Sequence, residues 1–300
     1  MSTERSSPRY SSIDAWHAED IAESIVEGQF AAVAAVMAAR KEIAAAVVAM
    51  HARLQRHGRL IYVGAGTSGR LAEQDGAELA PTFGWPEERL VVILAGGNKA
   101  RSRSVEGAED DAEEGVSLIS QLEVDAHDVV IAIAASGTTR FTMACLREAK
   151  RRGALTLGIA NNSPSPILEE ADHPIFLDTG AEPIAGSTRM KAGTAQKVAL
   201  NTLSTSLMIL LGKVYRGLMV DVRGANAKLV KRSEDILIQL TGRNREDARD
   251  ALSSANGSIK VAVLLLNGCD LEAAKQLLNN TNGQLETALR HLAAAQTPKT

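Results

Sequence analysis

The sequence predicts an α/β fold, a doubly wound five-stranded parallel sheet with N-terminal helices and a small C-terminal three-helix module. First, five short apolar segments alternate with helix-like segments between residues 59 and 180. Second, these segments are continuously apolar, as the strands of a parallel sheet buried on both faces must be. Third, residues 241–300 contain short amphipathic segments interrupted at Asn-Gly pairs, which are typical helix ends.

The elements follow in a regular order along the chain. Residues 1–15 are polar and are expected to form an arm, whereas residues 19–57 carry apolar residues at helical spacing. The five predicted strands are short and apolar, and they begin at Arg59, Arg89, Asp128, Leu155 and His173. The predicted helices after the first three strands span residues 67–79, 104–122 and 139–153, and a further helix is expected from about Ala195 to Arg216.

This order divides the chain into three regions. Residues 1–58 supply the arm and the helices that pack on the sheet domain. Residues 59–225 form the sheet domain, with helices continuing to about residue 240, and residues 241–300 form the C-terminal helical module. A chain of 300 residues is long enough for one large domain and one smaller one.

Composition and charge exclude several classes of protein. The net charge is −3 and no basic stripe is present, so we expect no nucleic-acid partner. No stretch of about 18 apolar residues runs without interruption, which predicts no membrane span. The first sixteen residues lack the apolar segment of a secretory signal, so a cytoplasmic location is expected. Cys145 and Cys269 show no metal-ligand spacing, and we expect free thiols and no metal site.

A glycine-rich loop follows the first predicted strand. Gly64, Gly66 and Gly69 spell G-x-G-x-x-G, and such a loop directs backbone N–H groups and a helix N-terminus at an anion. A dinucleotide site would also need an acidic residue at the end of the second strand, but that strand ends in "ILAGGNKA". Thr67 and Ser68 add hydroxyl donors, so the loop predicts binding of a phosphate without a nucleotide.

A second hydroxyl-rich loop follows the third predicted strand. The residues are Ser136, Gly137 and Thr138, followed by Thr139 at the start of a helix. Such a loop alone is often only a helix N-cap. Two such loops at the carboxyl edge of an open α/β sheet lie where these folds bind ligands. Together they predict one phosphate held by Ser68, Ser136, Gly137 and Thr138, with Gly66 and Thr67 in the same site.

Five segments resemble the N-acetylmuramic acid 6-phosphate etherases, a family within the sugar isomerase (SIS) group of phosphosugar-binding domains. They are "TERSSPRYSSIDAW", "GRLIYVGAGTSGRLAEQDGAELAPTFG", "VEGAEDD", "AASGTT" and "GSTRMKAGTAQK". The resemblance extends from about Thr3 to His291. It implies a lyase that removes D-lactate from carbon 3 of the phosphorylated amino sugar by β-elimination and water addition, in cell-wall recycling. It implies no metal or redox cofactor, and the C-terminal module resembles a ubiquitin-associated fold.

Two glutamates match the catalytic glutamates of this family. The resemblance implies that Glu78, in "DGAEL", is the acid and that Glu109, in "VEGAED", is the base; the sequence alone leaves these roles open. Two carboxyls with different pKa values suit an elimination that needs one base and one acid. From the residues alone, both glutamates could equally be solvated helix-surface carboxylates. Asp75 is expected to be a structural hydrogen-bond partner.

Two cations lie in the "GSTRMKAGTAQK" segment. Arg189 and Lys191 could bind the lactyl carboxylate or the phosphate, or could be surface cations at a helix start, which is unfavourable unless an anion lies nearby. Ser187 and Thr188 could cap that helix. The sequence differs from the residues usually found in the family at Ala77 and in the segment "TTRF" that follows Gly137. These differences leave the detailed shape of the sugar-binding site open.

Two other functions share these motifs. One is a sugar-phosphate sensor similar to glucokinase regulatory protein, which usually has two such domains where this chain has one. The other is an aldose–ketose isomerase, against which the "GSTRMKAGTAQK" block argues. One domain per chain implies a homodimer, with the N-terminal helices and the helix after Lys191 as contact surface. The resemblance further implies active sites shared between the two chains.

Overall fold

The computed structural model describes residues 1–55, 57–222 and 227–296. Contacts divide the chain into two compact units. The first contains Met1–Ala77 and Glu88–Ser204, and the second contains Glu78–Glu87 and Thr205–Thr300. The boundary predicted at residue 225 lies outside the described residues.

The first unit is built on the five-stranded parallel sheet that the sequence predicts. The strands are β1 (Leu60–Gly64), β2 (Leu90–Leu94), β3 (Val129–Ile133), β4 (Leu155–Ala160) and β5 (His173–Phe176). They lie in the order β2-β1-β3-β4-β5 and pair in parallel. Every residue of β1, β3 and β4 is buried. Helices cover both faces of these strands, which explains why their sequences do not alternate.

Between Ala18 and Leu210 the described residues form eight α-helices. They are α1 (Ala18–Ala38), α2 (Arg40–Leu54), α3 (Gly66–Ala77), α4 (Leu79–Phe83), α5 (Ala112–Gln121), α6 (Arg140–Arg151), α7 (Pro166–Glu170) and α8 (Lys191–Leu210). Helix α5 packs closely on α6, because a Cβ atom at Gly115 would lie 2.8 Å from the carbonyl oxygen of Phe141. A continuous hydrophobic cluster joins this helix pair to the sheet through Ile61, Ile119 and Phe141.

The structure corrects two predicted helix boundaries. The helix expected over 104–122 begins only at Ala112, because Gly107 has a left-handed φ of 74° and Asp111 caps the helix by accepting from the Glu114 N–H at 2.8 Å. The segment before it contains a short 3-10 helix, Ala108–Asp110. The helix expected from Ala195 to Arg216 instead runs from Lys191 to Leu210 as α8.

The second unit is mainly helical and contains a two-stranded antiparallel hairpin, β6 (Val214–Tyr215) with β7 (Leu218–Met219). Its further helices are α9 (Ala227–Thr241), α10 (Arg245–Ser254), α11 (Ile259–Leu266), α12 (Leu271–Asn280) and α13 (Leu285–Gln296). The described part of the C-terminal module therefore has four helices where three were predicted. The three Asn-Gly breaks in its sequence separate four segments, and side chains at Asn244, Ser258 and Asp270 cap the first three helices.

Helix α1 carries an unusual amount of exposed apolar surface. Val26, Phe30, Val33 and Met37 are 52–73% exposed and share one face, because their spacing follows the helical repeat. Within the described residues, α1 is the one helix long and apolar enough to cross a membrane by length and composition alone, with a mean hydropathy of 1.4. Helices of soluble proteins pass the same test, so this observation is weak evidence for a membrane span.

The N-terminal arm differs from the expectation that residues 1–15 lie outside the core. Most of these residues are exposed or half-buried, but Thr3 is fully buried. Two short 3-10 helices follow it, Pro8–Tyr10 and Ile13–Ala15. Arg9 forms an ion pair with Glu27, which fastens the middle of the arm to α1.

Candidate active site

The glycine loop joins β1 to α3 with little space between strand and helix. A Cβ atom at Gly69 would lie 2.3 Å from Leu94 and 2.8 Å from the carbonyl oxygen of Gly64, so only glycine fits there. Gly66 has a left-handed φ of 52° and faces open space, with no atom within 4 Å of a built Cβ. The loop therefore packs tightly on its sheet side and leaves its outer side free for a ligand.

The N-terminus of α3 carries the hydroxyls that the sequence singled out. Ser68 is buried and Thr67 is half-buried, both in the first turn of the helix. The first turn of a helix presents unpaired N–H groups and the positive end of the helix dipole, which together favour an anion. The structure thus places Gly66, Thr67 and Ser68 together at the N-terminus of α3.

The second hydroxyl loop lies beside the first, as predicted from the topology. The last residue of β1, Gly64, pairs with the last residue of β3, Ile133, so both loops leave the sheet at the same edge. Ser136 Oγ accepts a hydrogen bond from the Thr138 N–H at 3.2 Å, which folds the loop into a turn. Gly137 has a φ of 73°, and a Cβ atom there would lie 2.4 Å from Ser165 Oγ.

The segment 186–193 lies against the glycine loop. A Cβ atom at Gly193 would be 3.5 Å from the Thr67 methyl carbon, and the Gly193 N–H donates to the Thr188 carbonyl at 2.9 Å. Arg189, within this turn, is exposed. The structure therefore brings the turn that carries Arg189 to the same sheet edge as both hydroxyl loops.

Lys191 is buried and already has a partner. Its Nζ donates to the Thr179 carbonyl at 2.9 Å, and only 6% of the residue is exposed. Burial lowers the pKa of Lys191 below its ordinary value, and the nearby carboxylates of Glu182 and Asp178 oppose that effect. The two cations of the segment thus differ, since Arg189 faces solvent and Lys191 holds the chain after β5.

Glu182 is a buried carboxylate beside the candidate site that sequence reasoning missed. It is fully buried, and its carboxylate accepts from the N–H groups of Lys191 and Ala192 at 3.0 and 2.8 Å. These two N–H groups belong to the first turn of α8, so Glu182 satisfies the helix end that Ser187 and Thr188 could have capped. The sequence did contain a signal for Glu182, because this residue follows the fifth predicted strand, at the edge of the sheet where the strands end.

The two candidate catalytic glutamates are both exposed. Glu109 lies in the short helix Ala108–Asp110, and Ala108 packs on the same hydrophobic cluster as Ala65, which precedes the glycine loop. A Cβ atom at Gly96, two residues after β2, would lie 3.2 Å from the Ala108 Cβ, which places the Glu109 segment by the carboxyl end of β2. Glu78 directly follows the last residue of α3 and occupies the N-cap position of α4.

Asp75 is the structural hydrogen-bond partner that the sequence suggested. Its carboxylate is buried and accepts from the Tyr62 hydroxyl at 2.7 Å, the Asn201 amide at 2.5 Å and the Ser204 hydroxyl at 3.1 Å. Burial, together with the Asp75 charge, raises the pKa of Tyr62 well above its ordinary value. These bonds join α3, β1 and α8 beneath the glycine loop.

Comparison with known proteins gives the family. The chain is 48% identical over 264 residues to an N-acetylmuramic acid 6-phosphate etherase of Deinococcus radiodurans, covering 88% of this chain and 87% of the relative. It is 43% identical over 264 residues to the etherase of Rubrobacter xylanophilus, covering 88% of each chain. The chain belongs to the N-acetylmuramic acid 6-phosphate etherase family. The etherase of Geobacillus thermodenitrificans is 44% identical, covering 91% of this chain and 92% of that relative.

Two family models also match parts of this etherase-family chain. The model described as SIS domain matches residues 109–206, and the one described as glucokinase regulatory protein N-terminal SIS domain matches residues 42–150. The SIS-domain resemblance inferred from the sequence is therefore confirmed. The extent of the match to the etherases, across nearly the whole chain, favours an etherase over the sugar-phosphate sensor.

Proposed function

We propose that this chain is a carbon–oxygen lyase that cleaves the D-lactyl ether of N-acetylmuramic acid 6-phosphate. The products are N-acetylglucosamine 6-phosphate and D-lactate. The observation that carries the proposal is the 48% identity over 88% of the chain to a protein of that name. Because a phosphate ester is charged and does not cross a bilayer unaided, a cytoplasmic location suits this substrate.

The phosphate is held where the two hydroxyl loops meet. Ser68, with Gly66 and Thr67, supplies the α3 N-terminus, and Ser136, Gly137 and Thr138 supply the neighbouring loop. The adjacent strand ends and the open space beside Gly66 support this assignment.

Elimination then needs a proton removed from carbon 2 and a proton delivered to the lactyl ether oxygen. Ring opening to the aldehyde makes the carbon 2 proton acidic, the C3–O bond breaks, and water adds to carbon 3 of the unsaturated aldehyde. We assign the acid role to Glu78 and the base role to Glu109, in accord with the family resemblance. Both carboxyls are exposed and so accessible to a ligand.

The first test is the release of D-lactate from N-acetylmuramic acid 6-phosphate by the purified protein. Glu78→Gln and Glu109→Gln should each lower kcat by at least about 100-fold, as expected for loss of a general acid or base. Glu106→Gln, on an exposed residue of the same segment as Glu109, is the matched control and should retain activity. Saturable binding of the sugar phosphate without lactate release would instead favour the sensor.

Arg189 and Lys191 have separate roles in this proposal. Exposed Arg189 binds an anionic group of the substrate, whereas buried Lys191 supports the site through the Thr179 carbonyl. Arg189→Met should raise KM about 10-fold or more and leave the melting temperature unchanged, because it removes a charged contact to substrate. Lys191→Met should lower the melting temperature; equal effects of the two variants on KM and on melting would contradict the division.

The exposed face of α1 is the proposed dimer contact. A groove of about 680 Å³ runs beside this face and is lined mainly by small apolar residues, among them Ala31, Ala34 and Ala38. An apolar ridge next to an apolar groove on one helix suits an isologous contact between two copies. Val33→Glu should produce monomers in sedimentation velocity, whereas Val116→Glu, at an exposed valine on α5, should leave the dimer intact.

The length of α3 supports the proposal that the two copies share active sites. From Gly66 to Ala77 this helix rises about 16 Å, more than the distance from the phosphorus atom to carbon 2 of one hexose 6-phosphate. Glu78 follows the far end of that helix, so we propose that it serves the phosphate site of the second copy.

Subunit complementation tests this assignment. Glu78→Gln and Ser136→Ala are each expected to be nearly inactive alone. Refolded together in equal amounts, they should regain about a quarter of wild-type activity, because half of the dimers are hybrids with one intact site. No regain in verified hybrid dimers would place Glu78 and Ser136 of one site in the same chain.

A further inference from the structure

Thr3 lies at the centre of a hydrogen-bond network, and it is the one buried residue of the polar arm, residues 1–15. It is fully buried, whereas its neighbours Glu4 and Arg5 are exposed. Polar residues of a surface arm are ordinarily exposed unless specific contacts hold them. The burial of this one threonine therefore points to a defined role for its contacts.

The partner of Thr3 is Asn162, which lies two residues after the end of β4. Asn162 Nδ2 donates to Thr3 Oγ1 at 2.9 Å and to the Ala135 carbonyl at 2.8 Å. Asn162 Oδ1 accepts from the Thr3 N–H and from the Ser2 hydroxyl, both at 3.2 Å. Both N–H donors and both acceptor positions of the amide are thus used, which fixes its orientation.

The network ends at the two segments that form the candidate site. Ala135 directly precedes Ser136 in the second hydroxyl loop. At the other side, the Thr3 carbonyl accepts from the Gly186 N–H at 3.0 Å, three residues before Arg189. Gly186 has a φ of 76°, and a Cβ atom there would lie 2.9 Å from the Glu4 carboxylate, so the arm packs tightly on this turn.

The scaffold beneath also has hydrogen bonds that do not involve Thr3. Asn161 donates from its backbone N–H to the Ala135 carbonyl at 3.0 Å and from Nδ2 to the Leu177 carbonyl at 3.0 Å. Its Oδ1 accepts from Gln196 Nε2 at 2.9 Å. These bonds join β4, β5 and α8 without the arm, and the Ala135 carbonyl accepts from both Asn161 and Asn162, so we expect the fold to survive loss of the Thr3 hydroxyl.

We propose that Thr3 is a positioning residue. Through Asn162 it holds the Ser136 loop, and through its own carbonyl it holds the Gly186–Arg189 turn, so that both segments are placed to bind the phosphosugar. The inference rests on the proposed function, because those two segments are its phosphate-binding and anion-binding parts. Loss of the network leaves the reacting carboxyls in place and loosens the groups that hold the substrate. The expected signature is a higher KM with little change in kcat.

The test uses Thr3→Val, which keeps the shape and the backbone bonds of Thr3 and removes the Oγ1 that accepts from Asn162 and donates to Glu4 at 3.4 Å. We expect KM for N-acetylmuramic acid 6-phosphate to rise about 5- to 10-fold, with kcat within about twofold of wild type and an unchanged melting temperature. Thr3→Ser should restore KM. Ser12→Ala is the matched control, since Ser12 lies in the same arm and its hydroxyl accepts only from Trp16 Nε1 at 3.2 Å among the described contacts.

An unchanged KM in Thr3→Val would overturn the proposal, and so would a fall in melting temperature that Thr3→Ser does not reverse. A second readout separates this proposal from the enzymatic one. Calorimetric titration with glucosamine 6-phosphate measures the same loss of affinity even if the wild-type protein releases no lactate. Wild-type affinity in Thr3→Val would then refute the positioning role independently of the reaction.

Discussion

Replacing Glu182 with glutamine tests how the structure holds the Arg189 turn. The carboxylate of Glu182 is fully buried and accepts two N–H groups at the start of α8. Glutamine offers one oxygen and one NH₂ group, so one of the two backbone N–H groups loses its acceptor and faces another donor. The helix dipole also loses the negative charge at its positive end.

The expected loss in free energy of unfolding follows from these contacts. A hydrogen bond to a charged group contributes about 1.5–3 kcal/mol, and an unsatisfied buried donor costs about 1–3 kcal/mol, so Glu182→Gln should lose about 2–4 kcal/mol. For a chain of 300 residues that corresponds to a fall in melting temperature of about 3–6 °C. Differential scanning calorimetry measures it, and an increase in KM should accompany it because the turn against Thr67 loosens.

The matched control is Glu19→Gln. Glu19 also lies in the first turn of a long helix, α1, but it is exposed, so its removal should shift the melting temperature by no more than about 1–2 °C. The reasoning is refuted if Glu182→Gln melts within that same range, because a buried cap and an exposed first-turn carboxylate would then be equivalent.

Three further predictions follow from local geometry. Gly137→Ala should lower both the melting temperature and substrate affinity, because its Cβ would overlap Ser165, whereas Gly66→Ala should cost only about 1–2 kcal/mol of backbone strain; equal melting shifts would count against this. Arg151 and Arg152 lower the pKa of Glu148 to about 2, so its stabilisation is complete above the ordinary carboxylate pKa of about 4.5 and is lost as pH falls toward 2. Glu148→Gln should therefore flatten the melting temperature between pH 5 and 2, and an unchanged slope would contradict this. Burial raises the pKa of Cys145 to about 12, so iodoacetamide at pH 8 should label the partly exposed Cys269 and spare Cys145 in the folded protein; prompt labelling of both would contradict it.

The sheet was predictable because each strand is a short apolar segment followed by a turn and a helix. The ends of helices in polar segments were harder to predict from the sequence. The segment 104–111 has the charge spacing of a helix, but Gly107 and the capping side chain of Asp111 delay the helix until Ala112. In the C-terminal module, the breaks were visible and the count of helices was wrong, because each Asn-Gly pair ends one helix and begins the next.

The candidate site was predictable where a sequence rule links residues to a sheet edge. Both hydroxyl loops follow from the rule that parallel strands end at one edge, and β1 and β3 are neighbours as that rule requires. Thr3, Asn162 and Glu182 were missed because their contacts are with residues that are distant in sequence, nine residues away for Glu182 and 159 residues away for the Thr3–Asn162 pair. No local pattern distinguishes such residues from loop polar residues, although Asn162 and Glu182 follow strands at the same edge.

The most direct test of the central claim is the fate of solvent oxygen during turnover. The protein is incubated with N-acetylmuramic acid 6-phosphate in H₂¹⁸O, and both products are analysed by mass spectrometry. Elimination across C2–C3 followed by water addition predicts ¹⁸O in the carbon 3 hydroxyl of N-acetylglucosamine 6-phosphate and none in the lactate hydroxyl. Label in the lactate hydroxyl would mean that the bond on the other side of the ether oxygen breaks, and the absence of both products would contradict the proposed activity itself.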